Sequence, residues 1–277
     1  VDPSENVSKI ANDSGLTTIT YFFDALTAEK IKKDFGEPDV VVASSIFTHL
    51  ENPHQFIEDV KNVMTESGDF IIEVEYIRNI LKDIQFERFY LDRIFYYSLT
   101  SLKNLFENHG MYIYDVENIE PHGGSIRVVA RNKSHKTVPM DSVRKFIEEE
   151  ERSLTPVKLD DFRKEVEKNI GTFRKKLEEY KASDLKVAGY GSPARVATIC
   201  NYGKIGPSLI EFIVDDSPLK QNRFSPGTHI PIVPREYLDS HQPDVLVVFA
   251  YEYFDDIKKK IGAGYRYLIP IPPREVK

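Results

Sequence analysis

Two sets of short Val- and Ile-rich runs, each alternating with helix-patterned segments, flank a long charged stretch. This restricts the chain to α/β folds with a mainly parallel sheet in each half. In the first half, Thr17–Phe23, Asp39–Ser44 and Phe70–Glu75 read as strands, the last two apolar enough to be buried on both faces. Helices are predicted over Ala28–Phe35, His54–Met64 and Ser101–His109, the third closed by Gly110. Met111–Ile119 and Ser125–Arg131 make the expected antiparallel closing pair. The second half opens at Lys186 with a strand to Tyr190, a Gly-Tyr-Gly-Ser-Pro turn and a helix through Cys200, followed by strands at Leu209–Val214, Asp244–Ala250 and Tyr267–Pro270.

Between the halves, Leu154, Val157, Leu159, Phe162, Val166, Ile170, Phe173 and Leu177 recur at roughly helical spacing among charged residues. That pattern predicts one or two amphipathic connecting helices with a solvated outer face. The expected division is therefore a first domain over 1–133, a helical connector over 134–184 and a second α/β domain over 185–277.

A chain of 277 residues is long enough for two such cores. Its net charge of −7 provides no general attraction to nucleic acid, although a local basic pocket can hold a small phosphorylated ligand. No apolar run approaches the ~20 residues that span a bilayer, and the expectation is a cytoplasmic protein without a membrane partner. Cys200 is the single cysteine, which excludes an intrachain disulfide and a cysteine-rich zinc site. It reads as a small buried apolar residue, and no metal centre is expected.

Two stretches carry a specific signal. Gln85–Leu99 reads QFERFYLDRIFYYSL, and His122–Val128 reads HGGSIRV. Together they resemble the S-adenosylmethionine-dependent sugar C-methyltransferases, whose first stretch carries Tyr-His-Glu-His before Tyr-Phe-Ser-Leu and whose second reads His-Gly-Gly-Ser-Leu-Arg. Aligned through Tyr90 and Ser98, this chain has Leu91, Asp92 and Arg93 where the family has His, Glu and His. The second half is similar to the family too, through Gly189–Arg195 (GYGSPAR), Asn201-Tyr202, Val214–Gln221 (VDDSPLKQ) and Pro226–Ile232 (PGTHIPI).

The resemblance implies an incomplete class I methyltransferase-like sheet followed by a second Rossmann-like α/β domain, the two facing each other across the reaction. It implies S-adenosylmethionine as methyl donor and a nucleotide-diphosphate sugar as acceptor. A base removes a proton beside the sugar's keto group, and the enolate carbon attacks the sulfonium methyl. Tyr90, Asp92, Arg93 and His122 are the catalytic candidates, with Arg93 unable to act as the base because guanidinium stays protonated. Asp2, Ser44 and His49 fall at donor-binding positions. Asp2-Pro3-Ser4 is equally a turn or helix start, and His49 equally a residue that caps backbone groups. Tyr76, Tyr96, Gly123, Gly124, Ser125 and Arg127 fall at acceptor positions, joined by Tyr190, Gly191, Ser192, Pro193, Arg195, Asn201, Asp215 and Lys220 from the second domain. There a glycine-rich strand-to-helix turn points amides at a phosphate, or else serves close backbone packing.

Two features of the family are missing from the sequence, the N-terminal zinc module and the donor glycine-rich loop. Their absence predicts a fragment of a longer polypeptide, or a first domain completed by another segment or subunit, since an uncovered sheet edge is an aggregation liability. It also keeps two rivals in view: a catalytically degenerate nucleotide-sugar-binding or scaffold protein of the same family, and an NAD-dependent redox protein built on the Gly189 turn. The redox reading lacks the third glycine of the dinucleotide fingerprint.

Overall fold

The computed structural model describes residues 1–262 and 264–276, which form two compact units. The first comprises Val1–Ile80 and Asp92–Thr155, the second Leu81–Leu91 and Pro156–Lys277.

In the first unit, helices α1 (Glu5–Asp13) and α2 (Ala25–Phe35) precede strand β1 (Val40–Ser44). Helix α3 (Pro53–Val63) and strand β2 (Asp69–Glu75) follow, then helix α4 (Ile77–Lys82), whose last two residues belong to the second unit. After the boundary come α5 (Leu99–Asn108), β3 (Met111–Ile119), β4 (Ser125–Asn132) and α6 (Asp141–Ser153). Strand order is β1-β2-β4-β3, with β1 parallel to β2 and both β4 pairings antiparallel. Phe47, Phe70, Tyr97 and Phe106 fill the core beneath this sheet. Local signals set the helix ends: the Asn52 side chain caps α3, and Ser98 with Ser101 forms a reciprocal capping box on α5. Glu150 of α6 is buried and accepts from the Leu99 and Thr100 amides, which fastens α6 to the start of α5.

One strand expectation and one burial expectation fail here. Among the described residues Thr17–Phe23 pairs with no strand; its polar groups bond instead to the Asp2 amide and the Asn12 side chain. Asp39–Ser44 forms β1, but as an edge strand bonded on one side only, so Val40 and Val42 are exposed rather than buried.

The second unit begins its main run with α7 (Pro156–Ala182), β5 (Val187–Tyr190), α8 (Arg195–Tyr202), β6 (Ile213–Val214) and β7 (Arg223–Phe224). It continues with β8 (Pro231–Val233), α9 (Tyr237–Ser240), β9 (Val245–Val248), α10 (Phe254–Ile261), β10 (Arg266–Ile269) and β11 (Arg274–Val276). Among the described residues the sheet order is β11-β10-β9-β5-β6-β8-β7, five parallel strands with an antiparallel strand on each edge. The chain starts centrally at β5, runs outward through β6 and β8, then returns to build β9 and β10 on the other side. This creates a topological switch point between β5 and β9, and ligands of open α/β sheets bind outside the carboxyl ends of strands at such a point.

The predicted amphipathic stretch is helical, but α6 belongs to the first unit and α7 to the second. Val166, Ile170, Phe173 and Leu177 of α7 are buried in the second unit's core, as their spacing requires. Cys200 is also buried there, and burial pushes its thiol up to about 12. No helix among the described residues is long and apolar enough to cross a membrane.

Candidate active site

At the carboxyl ends of β1 and β2 the first unit gathers a polar cluster. Ser44 ends β1, and its hydroxyl donates to Glu73, which faces it from β2. Arg127 on β4 is opposite Glu73 in register and donates to it from Nε at 2.8 Å while also holding Glu117 at 2.7 Å. The Ser44 hydroxyl and then Arg127 hold the Glu73 carboxyl below its ordinary value.

The next residue, Ser45, has φ +58 and places its Oγ 3.3 Å from Nε2 of His122, itself at φ +56. Left-handed backbone in two touching non-glycine residues is uncommon and concentrates at functional sites. The turn carrying His122 is completed by Gly123 and Gly124, both at positive φ, and by the buried Ser125, whose hydroxyl donates to the Pro121 carbonyl at 2.9 Å. A Cβ on Gly124 would lie 2.6 Å from the Asn79 side chain, so close packing as well as φ demands glycine.

The altered family motif divides at the unit boundary. Leu91 is fully exposed. Asp92 meets His49, whose Nδ1 lies 2.7 Å from the Asp92 carbonyl and 3.8 Å from its carboxylate. Arg93 makes a 2.6 Å ion pair with Glu75 at the end of β2, with both side chains almost entirely buried. Tyr96 is half-buried on the approach to α5. Tyr76, expected at the acceptor, is instead fully buried against Phe146, and burial followed by the nearby Glu150 raises its hydroxyl pKa. Asp2 caps its own turn by accepting from the Ser4 amide at 2.8 Å.

In the second unit, the switch point holds a buried charge network that sequence reasoning missed apart from Arg195. Glu252, just beyond β9, binds Arg88 through one oxygen and Arg195 through the other, the latter at 2.8 Å. Tyr251 donates to the buried Glu87, and the Arg195 guanidinium lies 4.6 Å over the Tyr251 ring. Burial alone would raise the Glu252 pKa, but Arg195 and Arg88 outweigh it and hold the carboxyl low. Arg195 is buried, and its Nε and Nη1 find no hydrogen-bond partner among the described residues. Tyr90 also belongs to this unit. The available signal was Tyr251-Glu252 placed directly after a Val-rich strand.

The glycine-rich turn has mostly internal partners. Gly191 takes φ +78 against Ala250, and the Ser192 amide donates to Asp215 at 2.6 Å. Asp215 also accepts from the Ser217 amide, and Lys220 bonds the Ser192 carbonyl at 2.9 Å. Pro193 lies between this turn and α8. Asn201 ties α8 to the Pro226 carbonyl at 2.9 Å, and Tyr190 is buried with its hydroxyl on Asp216. Tyr190 is thus enclosed within the fold, while Asn201 stays exposed with its amide on the Ala197 and Pro226 carbonyls. Among the described residues no cluster of three or more His, Cys, Asp or Glu side chains is placed to hold a metal ion.

Two family models match the sequence: the C-methyltransferase C-terminal domain over residues 120–272 and a methyltransferase domain over residues 1–116. The chain is 31% identical over 282 residues to C-methyltransferase NovU of Streptomyces niveus, with all of this chain and 67% of that protein covered. Among solved structures, a SAM-dependent methyltransferase from Anabaena variabilis is similar with a TM-score of 0.37 and 13% identity, over 47% of this chain and 66% of that one. The PH0226 protein of Pyrococcus horikoshii gives a TM-score of 0.36 and 18% identity, over 47% of this chain and 69% of that one.

Proposed function

The chain belongs to the C-methyltransferase family, and from that premise we propose that it methylates a carbon beside the keto group of a nucleotide-linked sugar through an enolate. Its methyl donor is S-adenosylmethionine. When bound, the donor supplies an electrophilic methyl group on a sulfonium.

The observation that carries the proposal is the cluster at the carboxyl ends of β1 and β2, where Ser44, Glu73 and Arg127 adjoin the strained Ser45–His122 contact. It joins the family-like loop His122–Arg127 to the strand ends where open α/β sheets do their chemistry.

The residues present fit one side of the donor. A cavity of about 290 Å³ lies along the exposed β1, walled by Val1, Phe23, Val41, Ile46 and Phe56. Its lining is apolar enough for an adenine face, and Asp2 follows Val1 with an acidic group suited to ribose hydroxyls. Among the described residues of the first unit, no glycine-rich turn leads from a strand into a helix, so these groups would hold only part of the donor.

On the second unit, the buried Arg195 with two unengaged nitrogens supports a negatively charged group, such as the diphosphate of the acceptor. The dinucleotide redox reading loses support from the Ser192 amide, which already has the Asp215 carboxylate as acceptor at 2.6 Å. A binding-only member of the family is favoured by the Glu75–Arg93 pair, because an ion pair occupies the family's base position.

Incubation with donor carrying a 13C methyl and a panel of thymidine-diphosphate ketosugars tests the proposal by NMR. A new 13C–C bond on the sugar is the expected result. Label on oxygen or nitrogen, or donor binding with no transfer to any ketosugar, would reject it.

A further inference from the structure

If Arg93 cannot remove the proton, another group must. His49 ends the short turn after β1, and its Nδ1 lies 2.7 Å from the Asp92 main-chain carbonyl. A carbonyl oxygen only accepts hydrogen bonds, so Nδ1 carries the ring proton and Nε2 carries the lone pair. The Asp92 carboxylate, 3.8 Å from Nδ1, is placed to stabilise the ring once Nε2 gains a second proton. Among the described residues Nε2 has no hydrogen-bond partner, and the side chain is 35% exposed.

The other groups near the strand ends are less suited. Arg93 stays protonated and is tied to Glu75. Leu91 cannot titrate. His122 has its Nε2 engaged with the Ser45 hydroxyl. The exposed Asp92 carboxylate is intrinsically a far weaker base than imidazole.

We infer that His49 is the general base of the proposed reaction and that Asp92 positions it, a pairing that moves the base function off the altered motif and onto the loop after β1. The inference rests on the enolate reading above. Nε2 of His49 takes the proton from the carbon beside the keto group, the C–H electron pair becomes the enolate double bond, and the carbonyl oxygen takes up the negative charge. The enolate then uses that pair to bond the methyl carbon, while the old S–C pair stays on sulfur as a neutral thioether. The proton then leaves Nε2 for water.

Proton abstraction can be followed without any methyl donor. The wild-type protein, incubated in D2O with thymidine-diphosphate 4-keto-6-deoxyglucose, should exchange the hydrogens beside the keto group for deuterium, read by proton NMR. His49→Asn preserves a donor toward the Asp92 carbonyl but has no basic nitrogen, and should slow exchange by about 100-fold or more. His49→Gln is the second variant, and the amide spectrum of each reports whether it is folded. Independently, nitrogen-15 NMR of wild-type His49 should show a protonated Nδ1 and an unprotonated Nε2. Exchange that persists in folded His49→Asn, or a ring protonated at Nε2 alone, overturns the assignment. A wild-type protein that exchanges nothing defeats the enolate reading itself and the assignment with it.

Discussion

Arg93 and Glu75 form a 2.6 Å ion pair in which the arginine side chain is 12% exposed and the glutamate 4%. Removing one partner of a buried pair leaves the other charge uncompensated, at a cost of roughly 3–5 kcal/mol. Arg93→Met should therefore destabilise the first unit by about that amount in urea unfolding. The double variant Glu75→Gln with Arg93→Met should recover much of the loss, because no lone charge remains. A double variant as unstable as the sum of the single ones would show that the pair does not act as a unit.

Gly191 and Gly110 separate backbone strain from steric demand. Both have positive φ, but a Cβ on Gly191 would sit 2.7 Å from the Ala250 Cβ, whereas Gly110 has nothing within 4 Å. Gly110→Ala should cost about 1 kcal/mol through conformation alone. Gly191→Ala adds overpacking at the switch point and should cost roughly 2–4 kcal/mol. Equal losses in thermal or urea denaturation would refute the steric part.

How far the sequence could be read follows from the range of each signal. The helices over Ala25–Phe35 and Pro53–Val63 and the β3–β4 pair were legible because periodicity and caps act within a few residues. Thr17–Phe23 has strand composition without a strand's partner, and β1 has core composition on an exposed edge; both depend on what lies beside them in the sheet. The same applies to the sites. His122 and Arg195 sat in recognisable motifs, while Glu75, Glu87 and Glu252 matter through partners far along the chain, as with Tyr251 and Glu87, 164 residues apart. Nothing local distinguishes such carboxylates from surface charges.

Glu73 makes stability depend on acid. The Ser44 hydroxyl and Arg127 lower its pKa in the folded protein, so unfolding raises its proton affinity. The contribution is fully present above its ordinary value of 4.5 and is lost as pH falls through the lower folded value. Glu73→Gln should accordingly flatten the fall in stability below that pH, measured as urea midpoints across the acid range. An unchanged slope would remove Glu73 from the account.

Glu252 bridges two arginines on different segments: Arg88 on the Leu81–Leu91 stretch that carries Tyr90, and Arg195 at the start of α8. Without the bridge, two buried guanidiniums lie close together with less compensation, and the stretch loses one charged contact. The carboxylate is 38% exposed, so solvent screens it and the cost falls below that of a fully buried pair, at about 1–2 kcal/mol for Glu252→Gln. The loss should be local. Amide exchange over residues 86–90 should accelerate while α5 in the first unit keeps its protection. Phe86 packs in the second unit's core and would still hold the stretch against complete release. Unchanged exchange over 86–90 would mean that its other contacts, the Phe86 packing and the Tyr251–Glu87 hydrogen bond among them, anchor the stretch without Glu252.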